Sequence, residues 1–161
     1  MNDLFTTVEK PLCDRWNHLP EISFVVHGDP KAPKRHRHFK GKGMNFTSVY
    51  DPSKKEKENF LLKCMEHRPE APFREGLRLV VRFYFPRTNS HYGTGKNQLK
   101  LKPNAPVLHT SRPDLDNCIK FVKDALNTVY WHDDSYICSL EASKEYDEVP
   151  RTEISITTLN K

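Results

Sequence analysis

The stretch SRPDLDNCIKFVKDALNTVYWHDDS, residues 111–135, leaves a chain few ways to fold. Leu115, Ile119, Val122, Leu126 and Val129 recur at i, i+4, i+7, i+11 and i+14, the spacing of a single helical stripe. That spacing predicts an amphipathic helix over 115–129 with this stripe buried and Asp116, Lys120, Lys123 and Asn127 turned away from it. Residues two apart on a helix point to nearly opposite sides, so Asp114 and Asp116 converge only if one of them lies outside the helix. Arg112-Pro113 supplies that condition, because a residue before proline is pushed to extended geometry. Asp114 then sits just before the helix and Asp116 in its first turn, both at the end where negative charge is favoured.

Around that helix the pattern changes period. EISFVVHG at 21–28 is rich in β-branched and aromatic residues and stops at a Gly-Asp-Pro turn, which predicts a strand. GLRLVVRFYFP at 76–86 alternates, placing Leu77, Leu79, Val81, Phe83 and Phe85 on one face of a second strand. YICSLEAS at 136–143 and RTEISITTL at 151–159 read as two more. DPSKKEKENFLLKCMEH at 51–67 opens on Pro52 and continues in good helix formers, predicting a helix that buries Phe60, Leu61, Cys64 and Met65. Residues 87–110 are polar with glycine and proline, and a long loop is expected there. The order β-α-β-loop-α-β-β predicts an α+β fold, a small mixed β-sheet with helices packed on it, in one domain over 1–161. Residues 1–20 carry weak periodicity and read as an N-terminal extension.

The charge is unevenly spread. The net charge of +5 is concentrated in KAPKRHRHFKGK at 31–42, which holds Lys31, Lys34, Arg35, Arg37, Lys40 and Lys42 without an acid. The acids Asp114, Asp116, Asp124, Asp133 and Asp134 gather in 111–135 instead. No apolar run is long enough to cross a bilayer and no secretory signal pattern opens the chain, so no membrane partner is expected. Cys13, Cys64, Cys118 and Cys138 are scattered with no CxxC pair, which argues against a disulfide framework or zinc knuckle and for reduced thiols in an intracellular protein. The histidines show no HxxxH or HExxH spacing and are not expected to be ligands; His109 and His132 are at most supporting groups.

Each acidic or basic piece has an ordinary structural use. An aspartate at a helix start caps it, Asp116 and Lys120 form an i, i+4 ion pair, Asp133-Asp134 suits a turn, and a basic run is often a solvated loop. The combination supports a second reading. Asp114, Asp116 and the Asp133-Asp134 pair bracket one helix, and three carboxylates meet if the following strand pairs beside the helix start. Carboxylates that close repel unless a cation intervenes, and all-oxygen ligation suits Mg²⁺ or Mn²⁺. Such ions hydrolyse phosphodiesters, and Lys120 would then support the transition-state phosphate or the leaving group. The basic arm would contact nucleic-acid backbone. A non-catalytic basic DNA-binding protein, with acids that only cap a helix, stands beside this reading.

RPDLDNCIKFVKDALN followed by WHDDSYI resembles the signature of the RusA family of Holliday junction resolvases. That signature is a basic residue, DxDN, a lysine four residues after the second aspartate, DAL, and a DD pair after a short turn. FVVHGDPKAPKRHRH and FTSVYDPSKKEKENF are similar to the family's opening strand, proline-basic loop and first helix, and the likeness covers about 22–158. The resemblance implies a RusA-like fold and a Mg²⁺-dependent endonuclease, with Mn²⁺ as substitute, acting as a homodimer on branched DNA with a four-way junction. By motif position it implies Asp114, Asp116 and Asp134 as metal-binding catalytic carboxylates, Lys120 as catalytic lysine, and Asp133 as less critical. It implies that Arg112 and Asn117 support the site or the DNA, and the reading adds phosphate contacts from Lys31, Lys34, Arg35, Arg37, Lys40, Lys42 and Lys123. A four-way junction has two-fold symmetry, so paired cuts by a chain with one carboxylate cluster need a C2 homodimer. The family's shorter members lack 87–110, and 1–20 have no evident counterpart; a branched or flap-DNA nuclease without four-way preference is the alternative. The expected location is intracellular, with DNA, and cytoplasmic if the source is bacterial or phage.

Overall fold

A computed structural model describes residues 21–35, 37–39 and 48–159. The central helix forms as α2, Leu115–Leu126. Asp114 is extended at φ −69° and ψ 148°, following a cis Arg112-Pro113 bond, so helical geometry begins one residue later. The helix stops three residues short of the expected Val129. Asn127 leaves helical geometry at ψ 144° and Thr128 takes φ 67°, a region a β-branched residue adopts only at a turn. The turn is held by the Thr128 N–H, which donates to Trp131 O at 2.8 Å.

Cys118, Phe121, Val122, Ala125 and Leu126 are buried, while Leu115, Ile119 and Val129 pack partly buried against the core. The buried face is wider than the predicted stripe because α2 is covered both by the sheet and by α1, Lys54–Cys64. Phe60 of α1 meets Phe121 edge-on, ring centroids 5.6 Å apart. Of the expected face of α1, Cys64 is fully buried, Phe60 and Leu61 are partly so, and Met65 falls in a short 3-10 turn, Met65–His67. Ser53 before α1 makes no side-chain cap; its buried Oγ accepts the Lys34 N–H at 2.6 Å, which ties the basic segment to the helix.

Four strands, β1 (Glu21–His27), β4 (Leu77–Pro86), β5 (Ile137–Asp147) and β6 (Arg151–Thr158), form a mixed sheet in the order β1-β6-β4-β5. Strand β6 is antiparallel to both β1 and β4, and β5 runs parallel to β4. A parallel neighbour cannot be reached by a tight hairpin, so the chain crosses over between them, and α2 lies in that crossover. Leu77, Leu79, Val81, Phe83 and Phe85 are all buried as the alternation predicts, joined by Phe24, Val26, Ile154 and Ile156. The small mixed sheet with helices packed on it is the α+β architecture expected.

Two elements differ from expectation. Within the basic segment, β2 (Arg37–Phe39) pairs antiparallel with β3 (Ser48–Tyr50) in a ribbon of their own. Strands of three residues are too short to show a period in sequence, so only pairing reveals them. Residues 87–110 are not featureless either: 3-10 turns at Asn89–His91 and Gly95–Asn97 organise them. Among the described residues no helix is long and apolar enough to cross a membrane.

Candidate active site

The N-terminal end of α2 carries two unspent carboxylates. Asp114 and Asp116 are both exposed, and Asp114 makes no side-chain cap bond. Among the described residues neither carboxylate has a hydrogen bond or ion pair, so the capping bond and the Asp116–Lys120 pair that would explain them structurally are not made. The first intrahelical bond is ordinary, the Cys118 N–H donating to Asp114 O at 3.1 Å. Burial pushes the Cys118 thiol up to about 11, and the side chain is fully buried under the helix start.

A residue that sequence reading missed holds this end in place. Lys144 of β5 donates from Nζ to Pro113 O at 2.6 Å and Ser111 O at 2.9 Å. Its ammonium fixes the carbonyls immediately before Asp114. No local pattern marks Lys144; it arrives because β5 runs parallel to β4 and returns past the helix start.

A cleft of about 550 Å³ opens beside Asp114, lined by Ala32, Pro33, Arg35, Arg112, Pro113 and Asn117. It adjoins a smaller one of about 190 Å³ that shares Pro33, Arg35 and Asn117 and adds Lys34, Lys57, Lys120 and Asp124. The start of the basic arm and the DxDN helix therefore wall one groove. Arg35, Arg112, Asn117 and Lys120 all line it. Lys34 also lines it, with its ammonium 2.8 Å from Glu56. Lys31 lines a separate cleft with His27, Asp29 and Lys63. Arg37 contributes backbone to β2. Lys40 and Lys42 lie outside the described residues.

Lys57 is a second unforeseen member, donating to Asp51 at 2.9 Å and Asp124 at 2.8 Å. Burial works to lower its pKa, but the bonds to Asp124 and Asp51 outweigh that and hold the ammonium above its ordinary range.

Asp134 sits by the last turn of α2. Its Oδ1 accepts the buried Trp131 Nε1–H at 2.9 Å and its Oδ2 lies 3.2 Å from Lys123 Nζ. Lys123, expected to hold phosphate, is spent on this pair. Asp133 does what a turn aspartate does: its Oδ1 accepts the Ser135 N–H at 2.9 Å, and those Ser135 bonds hold its carboxyl below the usual range. Among the described residues no three His, Cys, Asp or Glu side chains group closely enough to hold a metal ion. Asp114 and Asp116 share the helix start, and Asp134 is engaged elsewhere. His109 is buried against Phe85, ring centroids 3.9 Å apart, rather than placed on the carboxylates.

The family model for endodeoxyribonuclease RusA matches residues 27–157. The chain belongs to the RusA family. The crossover junction endodeoxyribonuclease rusA of Lactococcus phage r1t is 36% identical over 104 residues, 62% of this chain and 70% of the phage protein. YqaN of Bacillus subtilis (strain 168) is 35% identical over 137 residues, 84% of this chain and 94% of that protein. Membership identifies a nuclease of the Holliday junction resolvase class, and the matched span contains both the basic arm from Lys31 and the whole DxDN helix.

Proposed function

We propose that this RusA-family nuclease resolves four-way DNA junctions with Mg²⁺, as a homodimer that makes paired symmetric cuts during DNA recombination and repair. The observation that carries the reading is the pair of carboxylates at the start of α2, Asp114 and Asp116, both exposed without a protein partner among the described residues, with Asp114 lining a cleft shared with Arg35 and Arg112. Unpartnered oxygen acceptors fit a hard divalent cation, which takes oxygen ligands. Asp114 and Asp116 would hold it. Asp134 is the third carboxylate that the family motif implies, and it is engaged with the Trp131 indole and Lys123 by the last turn of α2. Bound Mg²⁺ supplies an activated water and neutralises charge on the leaving oxygen.

The side chains do the rest. Lys120, one turn beyond Asp116, carries positive charge to the phosphate as it becomes more negative. Arg35 and Arg112 hold flanking phosphates and fix the register of the strand. Lys144 braces the segment before Asp114 by donating to the Ser111 and Pro113 carbonyls. Cleavage leaves 5′-phosphate and 3′-hydroxyl ends that can be rejoined. A C2 dimer supplies the two sites that a two-fold junction needs.

The test is a labelled synthetic four-way junction with linear duplex and flap controls, with and without Mg²⁺. Paired nicks in the junction alone, dependent on metal, are expected. Equal cutting of all three substrates would leave a general branched-DNA nuclease, and metal-independent binding without cutting would overturn the proposal.

A further inference from the structure

Residues 87–110 join β4 to α2 and take no part in the chemistry at Asp114. Their charge is one-sided: Arg87, Lys96, Lys100 and Lys102 occur without one Asp or Glu. A loop of this length in a compact domain is either disorganised or functional, and this one is built. The Gly93 N–H donates to Lys100 O and the Lys102 N–H to His91 O, each at 2.9 Å, clasping the two limbs together. Gly93 is required there, because a Cβ would come within 2.6 Å of Asn97 O.

The base of the loop is anchored on β5. The Tyr146 N–H donates to Val107 O at 2.7 Å and the His109 N–H to Lys144 O at 3.1 Å. Arg87 donates to Pro106 O at 2.9 Å and Tyr146 O at 3.3 Å. Two of the four cations are thus consumed by the scaffold, since Lys102 Nζ also donates to Ser90 O at 2.8 Å. The Lys96 and Lys100 side chains are exposed and make no hydrogen bond or ion pair among the described residues. Between them Leu99 is 87% exposed. The second limb continues through Ser111 into Arg112 and Asp114, and Lys144 grips both: its carbonyl holds His109 and its ammonium holds Ser111 and Pro113. The tip is therefore carried on the same anchor as the active-site end of α2.

We propose that this tip is a second contact for duplex DNA, gripping an arm of the same substrate away from the cut phosphate. Lys96 and Lys100 take backbone phosphates and Leu99 packs against the sugar edge between them. The inference rests on the junction-cutting reading and adds a surface to it. An acid-free tip with two unpaired ammonium groups matches a phosphate backbone, which is read by charge and not by base identity.

The test measures binding of the full chain to junctions with long and short arms, in chelator so that no cutting occurs, across a salt series. Lys96→Gln/Lys100→Gln should lower the slope of log affinity against log salt by about 1.8 on long arms, about 0.9 per phosphate contact. Short arms, and the rate of cutting at saturating DNA, should be unaffected. The charge-matched Arg68→Gln/Arg74→Gln variant removes exposed charge near the Phe73–Trp131 bridge at the other end of α2, and should keep the slope. An unchanged slope in the lysine variant, an equal loss on short arms, or an equal loss in the arginine variant would overturn the inference. If the wild-type protein binds and cuts the junction while the lysine variant matches it, only this inference falls. A wild-type protein that does not bind junctions at all would overturn the parent reading as well.

Discussion

The two ends of α2 use the same residue types to opposite effect. By its last turn, acids and bases are matched: Asp134 takes the Trp131 indole and Lys123, Asp133 caps its own turn, and Lys57 bridges Asp51 and Asp124. At its start, Asp114 and Asp116 stand unpaired among the described residues, although Arg35 and Arg112 line the cleft at Asp114. Charge brought together and left unsatisfied is unfavourable in the folded chain alone. The contrast therefore separates aspartates that build the fold from aspartates held open for a ligand.

The largest effect should come from the open end. Asp114→Asn should reduce junction cutting by more than the roughly 100-fold that outer-shell substitutions around a metal cost. It should shift unfolding free energy by less than about 0.5 kcal/mol, because no bond is lost. Cleavage rates and urea unfolding of the same variant check both halves, and a large stability loss would break the comparison.

The matched end should behave in reverse. Asp134→Ala strands the indole N–H of the fully buried Trp131, a loss of about 1–3 kcal/mol in urea unfolding. Asp134→Asn keeps an acceptor for that N–H and should cost less. A fall in cutting by Asp134→Asn at near-normal stability would bring Asp134 into the metal set and sharpen the division.

Lys144 lies between the two kinds of role. Lys144→Met should lower kcat/KM about tenfold and raise the Mg²⁺ concentration needed for half-maximal cutting, the scale of a residue that orients a ligand without touching metal. Lys144→Arg should recover part of that. Normal Mg²⁺ dependence in Lys144→Met would mean that Asp114 needs no such brace.

The smallest effect should appear with pH. Burial, then the Lys144 charge, push the His109 pKa below its ordinary value, against the opposing pull of a backbone bond. The unfolded chain then binds this proton more readily than the folded one. Stability from His109 is complete above an unfolded value of about 6.5 and declines as pH falls through it. Thermal unfolding between about pH 7.5 and about pH 5.5 should show a smaller drop in His109→Leu than in the parent. Identical drops would show that the loop base does not sense this proton.

Part of this division is legible in the chain itself. The β4 face from Leu77 to Phe85 and the heart of the α2 stripe follow from residues within a few positions of one another. Local sterics and period decide such features. The same reading overran the end of α2, where Thr128 turns left-handed, and missed the short β2–β3 ribbon, because neither has a period long enough to show.

What the sequence by itself determined is the kind of fold and the DxDN-plus-lysine helix that marks a RusA-family nuclease. Only the tertiary structure decided which charges are spent. Lys144 reaches Pro113 across 31 residues and Lys57 reaches Asp124 across 67, and Arg35 comes to the Asp114 cleft from another segment altogether. Such pairings depend on a parallel crossover that brings distant strands and helices side by side, and no spacing along the chain encodes them.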